Sequence, residues 1–317
     1  MNIAVLGAGA MGSLFGGLLA ESGQHVTLLD INQAHLDAIR EAGLRLQTDR
    51  GDRRITNLDA RRPEEPGTPP ELLIVFTKSL HTRAALSSLL HLIGPETVVL
   101  TLQNGLGNVE VIREFVPLDR ILIGVTTWPA DLAGPAQVSS HGEGRIRMMT
   151  ANGHRLPILD TVADALGAAG LNCEIDAQVW TAIWEKVAFN AALNSLCAVT
   201  GCSVDQLGTV PDGTLLAASI VGEVLTVARA KGVAVDEDRC VAGVAHAIAQ
   251  HRGHKPSMLQ DVLAGRPTEI EAINGAVVAG AAACGIAVPH TESLLQLVRI
   301  TQARSRRETT GAATSPA

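Results

Sequence analysis

The N-terminal segment constrains the fold of this chain more than any other feature. A short apolar run, Asn2–Leu6, leads into a glycine-rich turn and a stretch of small residues, and a second strand is predicted over His25–Leu29. Glycines at this spacing permit a tight turn, the close approach of a pyrophosphate and the packing of a helix on a strand. The pattern predicts a strand–turn–helix–strand unit that binds a dinucleotide at the helix N-terminus. The predicted binding residues are Gly7, Ala8, Gly9, Ala10, Met11 and Gly12.

Asp30, at the end of the second strand, indicates which dinucleotide is bound. A carboxylate at this position accepts hydrogen bonds from the ribose hydroxyls of NAD and repels a 2′-phosphate. Ile31 and Asn32 follow it, so the turn offers no arginine to such a phosphate, although Arg40 and Arg45 could approach from the next segment. The sequence therefore favours NAD(H) as the cofactor, with NADP(H) as the alternative.

The rest of the chain predicts an α/β fold class in two domains. Apolar strands alternate with helices as far as Asp176, whereas from Val179 onward only helical periodicity is found. We predict an N-terminal Rossmann-type dinucleotide-binding domain over residues 1–176 and an all-α substrate and catalytic domain over residues 177–305. The tail, residues 306–317, is rich in Thr, Ala and Gly and is predicted to be disordered.

Two hairpins are expected within the first domain. One joins Leu44–Gln47 to Ile55–Asn57, and the other joins Gln137–Ser139 to Arg145–Met149 as antiparallel strands that close the sheet. The remaining strands are predicted at Leu72–Thr77, Thr97–Leu102 and Arg120–Thr126, and the main helices at Arg155–Ala169, Val179–Thr200, Gly213–Lys231, Asp236–His251, Thr268–Cys284 and His290–Ser305.

The composition argues against nucleic-acid and membrane partners. The net charge is −7, and no dense basic patch occurs outside the extreme C-terminus. Aromatic residues make up 2% of the chain and Tyr is missing, so stacking platforms for bases are not expected. The longest weakly polar run, Ala272–Val288, contains Asn274 and falls short of a membrane span. A small-molecule substrate is the expected partner, and a homodimer is compatible with the chain.

Cysteine and histidine spacing predicts neither disulfides nor a metal site. The five cysteines, an odd number without a CxxC pair, indicate reduced, buried thiols in a cytoplasmic protein. His246, His251 and His254 do not share a helical face, which disfavours metal binding.

A polar stripe in the helical half is the strongest candidate for catalysis. Lys186, Asn190 and Asn194 recur every four residues in an otherwise apolar segment, so on a helix they share one face. An ammonium in apolar surroundings loses its proton more readily than a surface lysine, which suits a proton donor. The segment by itself fits a surface lysine with two satisfied amides equally well.

Three further polar residues are candidates by position. Lys78 and Asn104 each follow a predicted strand, and ligands of open parallel sheets bind beyond the carboxyl ends of strands. Thr268 and Glu271 fit a capping box, which would place Glu269 at the first helical position. A carboxylate there is stabilised in its ionised form by the helix dipole, and it could hold a lysine or a substrate hydroxyl.

Taken together, these motifs resemble the ketopantoate reductase family from Met1 to about Arg304. The resemblance rests on Gly7-x-Gly9-x-x-Gly12, Thr77-Lys78, Gln103-Asn104-Gly105, Trp184-x-Lys186-x-x-x-Asn190-x-x-x-Asn194, Ser257-Met258-Leu259-Gln260-Asp261, Thr268-Glu269-Ile270-x-x-x-Asn274-Gly275 and Gly285-Ile286-x-Val288-Pro289.

The resemblance implies an oxidoreductase that reduces a 2-keto acid with a nicotinamide cofactor, with ketopantoate as the expected substrate. It implies that Lys186 is the general acid and that Glu269 positions Lys186 or the substrate hydroxyl. Substrate binding would fall to Asn104, Asn190, Asn194 and Ser257, with Lys78 and Asn104 also near the cofactor.

The chain departs from the family pattern at two places, and two other functions remain open. Members that use NADPH carry an arginine after the second strand where this chain has Asp30-Ile31-Asn32, and Trp128-Pro129 stand where relatives have small residues or His. The Trp-Pro pair is expected to reshape the substrate pocket. The alternatives are a related NAD-dependent dehydrogenase of another 2-hydroxy or amino acid and a protein that senses NAD(H) without turnover.

Overall fold

A computed structural model describes the backbone of residues 1–312 and the side chains of residues 1–305. The chain separates into two compact units, of which the first comprises Met1–Gln103 with Asn108–Val179 and the second comprises Asn104–Gly107 with Trp180–Ala317. The sequence predicts disorder for residues 306–317; the described backbone is helical as far as Ala312, and residues 313–317 lie outside the described residues.

The first unit is the α/β part of the molecule. Its elements are β1 (Asn2–Leu6), α1 (Ala10–Glu21), β2 (His25–Leu29), α2 (Gln33–Ala42), β3 (Leu44–Thr48), β4 (Gly51–Ile55), β5 (Asp59–Arg61), β6 (Leu72–Val75), α3 (Thr82–Ser88), β7 (Val98–Thr101), α4 (Asn108–Ile112), β8 (Ile121–Thr126), β9 (Asp131–Gly134), β10 (Gln137–Ser140), β11 (Ile146–Thr150), α5 (Pro157–Ala168) and β12 (Cys173–Ile175).

An eight-stranded sheet forms the centre of this unit. Its strand order is β12-β11-β8-β7-β6-β1-β2-β5, and all neighbours are parallel except the antiparallel pair β8 and β11. The strands β6 and β7 are buried along their whole length, as expected for parallel strands whose two faces are both covered. The predicted Rossmann-type α/β fold is confirmed.

A second, four-stranded sheet corrects one predicted hairpin. Its order is β4-β3-β10-β9, and β10 pairs in parallel with β3. β11, the predicted antiparallel partner of β10, instead lies beside β8 in the main sheet. The predicted hairpin over 137–149 is wrong because β10 pairs with β9 and β3 and β11 pairs with β8, and local spacing does not encode the choice among such partners.

The other predicted hairpin is correct in its pairing but not in its bounds. β3 and β4 pair antiparallel with Thr48 opposite Gly51, so a two-residue turn joins them. The second strand therefore ends at Ile55, where the sequence predicts its beginning. β5 and β9 were not predicted, and both are edge strands of three or four residues with exposed positions.

The second unit is helical, and among its described residues it contains no strand. α8 is long and apolar enough, by length and composition, to cross a membrane, whereas Glu271–Cys284 is shorter. One face of α8 is nevertheless buried and packs against α9, α11 and α12. The elements of this unit are α6 (Val179–Thr200), α7 (Val204–Leu207), α8 (Pro211–Ala230), α9 (Glu237–Gln250), α10 (Ser257–Leu263), a π-helical turn (Glu271–Gly275), α11 (Ala276–Cys284) and α12 (Pro289–Ala312).

A π-helical turn replaces the regular helix start predicted at Thr268. The backbone N–H of Gly275 donates to the carbonyl oxygen of Ile270 over 3.0 Å, a spacing of five residues. Single π turns inside helices are rare and occur often at functional sites. Glu269 therefore precedes a widened turn and is not the first residue of an α-helix.

The predicted capping box is also wrong, because both of its members bind α12 instead. The Thr268 backbone N–H and hydroxyl each donate to Oε1 of Gln302, over 2.7 and 2.8 Å. The Glu271 carboxylate accepts two hydrogen bonds from the Arg299 guanidinium, at 2.7 and 2.6 Å. Side chains from a distant helix have replaced the local reciprocal pair.

All five cysteines are free, but the prediction that they are buried holds only for Cys197. Burial raises the pKa of the Cys197 thiol to about 12, which makes it an unreactive packing group. Cys202, predicted to pack in the same way, is partly exposed, and Cys284 is exposed.

Candidate active site

The glycine turn is built so that only glycine fits at two of its positions. Gly7 has a φ of 94°, and a Cβ atom there would lie 2.7 Å from the backbone nitrogen of Thr77. A Cβ atom on Gly12 would lie 1.9 Å from the carbonyl oxygen of Gly7. These clashes show that the strand ends and α1 approach more closely than any side chain allows.

Gly9, unlike Gly7 and Gly12, has open space beside its backbone, as a ligand site requires. A Cβ atom on Gly9 would meet nothing within 4 Å, so the backbone at the start of α1 faces open space. Gly9 is the N-cap of α1, and no side chain caps the helix. The first N–H groups of α1 can therefore bind an anion such as a pyrophosphate.

A cavity of about 440 Å³ lies next to the glycine turn. Gly7, Gly9 and Asp30 line it, together with Lys78 from the end of β6. Its apolar wall suits an adenine ring, and its polar residues suit ribose and phosphate groups. The first unit therefore fits a nicotinamide dinucleotide. The wall is formed by Leu6, Leu29, Ile31, Pro63, Phe76, Ala84 and Ala85.

Both oxygens of the Asp30 carboxylate are held by backbone donors. Oδ2 accepts from the backbone N–H of Ala8 over 2.6 Å, and Oδ1 accepts from that of Asn32 over 2.8 Å. Each oxygen keeps a further lone pair that can accept from a ribose hydroxyl. Ala8 is one of the predicted cofactor-binding residues, and its N–H is engaged with Asp30.

The two arginines that the sequence offers as neighbours of Asp30 bind other groups. Arg40 binds the carbonyl oxygen of Ala60 and the carboxylate of Glu65, and Arg45 binds Asp52. Both are engaged away from the cavity.

Arg62 is an arginine that lies beside the cavity. Its Nη1 donates to the carbonyl oxygen of Ile31 over 3.1 Å, and its Nε lies 3.4 Å from the carboxylate of Glu64. Sequence reasoning missed Arg62 because β5, which brings it next to β2, was not predicted. Only the sheet order could have revealed it.

Gln103 is a second residue that sequence reasoning passed over. Its Nε2 donates to the carbonyl oxygen of Thr77 and, over 2.8 Å, to the hydroxyl of Thr82. Its Oε1 accepts from the Thr101 hydroxyl over 2.9 Å. The amide therefore ties the carboxyl ends of β6 and β7 together immediately before Asn104.

Lys186 lies on α6 in the second unit, and burial changes the pKa of its ammonium. The side chain keeps partial contact with solvent. Even so, burial lowers the pKa of Lys186 to about 8, and the nearby Glu269 carboxylate opposes this by raising it. A group with this pKa is still largely protonated at neutral pH and releases its proton more easily than an ordinary lysine.

Asn190 and Asn194 are buried polar residues whose amides can bind a ligand. Each is 7% exposed. Across the described part of the chain, no protein group forms a hydrogen bond with either side-chain amide. Amides that the protein itself does not bind are open to water or to a ligand that supplies acceptors and donors.

The segment Asn104–Gly107 packs against the π-helical turn. The side-chain amide of Asn104 donates to Oε2 of Glu269 over 3.3 Å, and the backbone N–H of Leu106 donates to the carbonyl oxygen of Ala272 over 2.8 Å. Gly105 has a φ of 85°, and a Cβ atom on it would lie 2.4 Å from the same carbonyl oxygen. The structure thus brings Asn104 to Glu269, and Glu269 acts electrostatically on Lys186.

Buried side-chain contacts connect the π-helical turn and α10 to α6. The Ser195 hydroxyl donates to Oδ1 of Asn274 over 2.8 Å, and Asn274 donates to the carbonyl oxygen of Ala191 over 3.2 Å. Ser195 also lies 3.7 Å from the sulfur of Met258 on α10. Ser257, the exposed first residue of α10, therefore begins a helix that packs on α6.

The surroundings of Trp128 and of the histidine cluster are also defined. The indole N–H of Trp128 donates to the carbonyl oxygen of Leu171 over 2.8 Å, and its ring lies against Gly144. The rings of His251 and His254 are 5.9 Å apart. Within the described residues, no group of three or more His, Cys, Asp or Glu side chains could hold a metal ion.

Comparison with known proteins identifies the family. The model of ketopantoate reductase PanE/ApbA matches residues 3–153, and the model of its C-terminal part matches residues 178–302. This chain belongs to the ketopantoate reductase family. It is accordingly an oxidoreductase that uses a nicotinamide cofactor. A 2-dehydropantoate 2-reductase of Streptococcus pyogenes is 34% identical over 304 residues, which cover 96% of this chain and 98% of that protein.

Solved structures of similar proteins have the same fold. The complex of D-mandelate dehydrogenase with NADH and anilino(oxo)acetate has a TM-score of 0.92 and 32% identity, covering 96% of this chain and 99% of that one. A 2-dehydropantoate 2-reductase of Geobacter metallireducens has a TM-score of 0.89 and 30% identity, covering 95% and 99% of the two chains.

Proposed function

We propose that this protein reduces a 2-keto acid to the corresponding 2-hydroxy acid with NADH, using Lys186 as the general acid. The observation that carries the proposal is the pair Lys186 and Glu269 in the second unit. Burial lowers the pKa of Lys186 to about 8, and the nearby Glu269 carboxylate raises it. A sensor of NAD(H) would need the glycine turn but no buried proton donor, so this pair favours an enzyme.

The chemistry follows from the charge that develops on the substrate oxygen. The bound nicotinamide supplies a hydride to the carbonyl carbon. As negative charge grows on the carbonyl oxygen, the Lys186 ammonium stabilises it and transfers one proton to it, and solvent then reprotonates the lysine amine. Keto acid, NADH and one proton are consumed, and hydroxy acid and NAD are formed.

The remaining residues of the second unit hold the substrate and the lysine. The partnerless amides of Asn190 and Asn194 bind the polar groups of the keto acid, with Ser257 as a further contact. Glu269 keeps the Lys186 ammonium charged and oriented, and Asn104 fixes the Glu269 carboxylate through the 3.3 Å hydrogen bond. Glu269 is therefore a positioning group for the acid, or a partner for a substrate hydroxyl.

NADH is favoured over NADPH because of the Asp30 carboxylate. With both oxygens fixed by backbone N–H groups, Asp30 accepts hydrogen bonds from ribose hydroxyls and repels a 2′-phosphate. The guanidinium of Arg62 beside the cavity could attract such a phosphate, but its charge is offset by the neighbouring carboxylate of Glu64.

2-Dehydropantoate is the first substrate candidate, and an aryl 2-keto acid is the second. The first is supported by the relatives named 2-dehydropantoate 2-reductase. The second is supported by the close structural match to D-mandelate dehydrogenase with NADH. A cytoplasmic location and action as a monomer or homodimer are compatible with either.

The deciding experiment measures oxidation of NADH and NADPH with 2-dehydropantoate, phenylglyoxylate and other 2-keto acids. We expect turnover with NADH that is lost in Lys186→Met. Higher kcat/KM for phenylglyoxylate would select the second candidate. Tight NADH binding without turnover of any keto acid would contradict the proposal and favour the sensor.

A further inference from the structure

His35 is a fully buried histidine that belongs to neither the cofactor nor the substrate candidates. It lies in the first turn of α2 and is 1% exposed. Its Nε2 lies 3.1 Å from the hydroxyl of Ser13 on α1, and its Nδ1 accepts from the backbone N–H of Ala136, also over 3.1 Å. The ring therefore connects the loop between β9 and β10 to the helix that follows the glycine turn.

The Ala136 bond fixes the tautomer of the ring. A backbone N–H can only donate, so Nδ1 of His35 must carry a free lone pair, and the proton of the neutral ring is on Nε2. Nε2–H then donates to the Ser13 oxygen, which leaves the Ser13 proton to donate elsewhere. Burial lowers the pKa of His35, against a smaller opposing effect of Asp30, in agreement with a neutral ring.

The chain of hydrogen bonds continues into the cofactor turn. The Ser13 hydroxyl donates to the carbonyl oxygen of Ala8 over 2.8 Å. The backbone N–H of Ala8 donates to Oδ2 of Asp30 over 2.6 Å. The donors of Ala136, His35 and Ser13 therefore follow one another to the carbonyl of Ala8, and the N–H of the same residue, in the preceding peptide group, donates to the carboxylate that lines the cavity.

The far end of the series is held in a strained conformation. Ala136 has a φ of 53°, in the left-handed region that residues other than glycine rarely occupy. Its carbonyl oxygen accepts from the backbone N–H of Arg45 over 2.8 Å, and the pairing of β10 with β9 shifts at Gln137 and Val138. Such strain persists only where surrounding contacts hold the backbone in place, so the position of Ala136 is fixed.

We propose that His35 is a positioning residue for cofactor recognition: through Ser13 and Ala8 it holds the glycine turn and the Asp30 carboxylate in the geometry that binds the adenosine ribose. This inference rests on the proposed binding of NADH. It adds that buried hydrogen bonds, from Ala136 beside the four-stranded sheet to Asp30 at the cavity, support this binding. Because Asp30 contacts ribose hydroxyls and repels a 2′-phosphate, the support contributes to discrimination between NADH and NADPH as well as to affinity.

The test uses four variants of the full chain and equilibrium titration with NADH and NADPH. His35→Leu removes both ring bonds, and Ser13→Ala breaks the series one step later. His35→Gln keeps one acceptor and one donor on a planar amide. Thr97→Val is the matched control, because Thr97 is a buried residue immediately before β7 with hydrogen bonds to Gly94 and Pro70, away from the cavity.

We expect His35→Leu and Ser13→Ala to weaken NADH binding up to about tenfold, the order of the loss of one buried neutral hydrogen bond, with a smaller change for NADPH. His35→Gln should recover most of the loss. Thr97→Val should lower the thermal midpoint while leaving the ratio of the two dissociation constants unchanged.

An unchanged NADH dissociation constant in His35→Leu and Ser13→Ala would overturn the proposal. So would equal weakening in Thr97→Val, or a His35→Gln protein no better than His35→Leu, because each would mean that packing rather than the hydrogen-bond series matters. A wild-type protein that binds neither cofactor would instead overturn the proposed function, together with this inference.

Discussion

The side-chain amide of Asn104 donates to the carboxylate of Glu269 across 3.3 Å, although 165 residues separate the two in the chain. This bond joins the segment that follows β7 to the residue that precedes the π-helical turn. Glu269 in turn raises the pKa of Lys186 against the effect of burial. Burial on α6 and a carboxylate distant in the chain thus set the pKa of one ammonium.

Replacing Lys186 should remove the proton donor. We expect Lys186→Met to lower kcat by about 10²- to 10⁴-fold, the usual contribution of a positioned general acid. Steady-state kinetics with NADH and a 2-keto acid measure this. NADH binding should be unaffected, and a Lys186→Met enzyme with wild-type kcat would refute the assignment.

The rate of keto-acid reduction should fall as the pH rises through about 8, because only the protonated form of Lys186 donates. Since the Glu269 carboxylate raises the pKa of Lys186, Glu269→Gln should move this falling limb to lower pH. The profile of kcat/KM, followed from neutral pH to well above the pKa of Lys186, is the measurement. A limb that stays in place or moves upward in Glu269→Gln would contradict the proposed coupling.

Lys186 should also make stability depend on pH in a defined direction. Its pKa is lowered from 10.5 to about 8 in the folded protein, so between these values the unfolded chain binds more protons, and stability increases with pH. Below about pH 8 the cost of burying the ammonium is fully present, and above 10.5 it is gone.

The size of this effect is about 3 kcal/mol. Urea unfolding of wild type and Lys186→Met, at neutral pH and again near the ordinary lysine pKa, measures it. The difference between the two proteins removes the contribution of other titrating groups. Wild type should gain stability relative to Lys186→Met at the higher pH. A relative loss would show that Lys186 is not buried as a charge.

Asp30 should control the choice between the two cofactors. We expect Asp30→Asn to weaken NADH binding and to improve the relative affinity for NADPH, because repulsion of the 2′-phosphate is removed. Arg62→Ala serves as a control: it should leave NADH binding unchanged and reduce whatever NADPH binding occurs. Equilibrium titrations give both constants. A wild-type preference for NADPH would contradict the role of Asp30.

The two partnerless amides and the buried amide of Asn274 should respond differently to truncation. Asn190→Ala and Asn194→Ala should raise KM for the keto acid with little loss of stability, since no protein partner is left behind among the described residues. Asn274→Ala should cost about 1–3 kcal/mol of unfolding free energy, because it strands the Ser195 hydroxyl. Denaturation and steady-state kinetics together separate these outcomes. Equal destabilisation by all three would contradict the ligand-binding role.

The sequence by itself determined the features that depend on local sterics and helical spacing. Gly7 and Gly12 had to be glycine because the backbone passes too close for a side chain, and this requirement is visible as a motif. The spacing of Lys186, Asn190 and Asn194 placed them on one face of α6 because the helical repeat is fixed. Asp30 at the end of β2 was predictable for the same local reason.

Only the tertiary structure decided which distant groups surround these residues. The π-helical turn, the hydrogen bond from Asn104 to Glu269, the position of Arg62 and the series that begins at His35 all depend on long-range pairing. Thr268 and Glu271 show why: their local capping pattern was favourable, yet Gln302 and Arg299 on α12 bound them instead. A local pattern states what each residue can bind, and the packing of helices and sheets determines which partner is within reach.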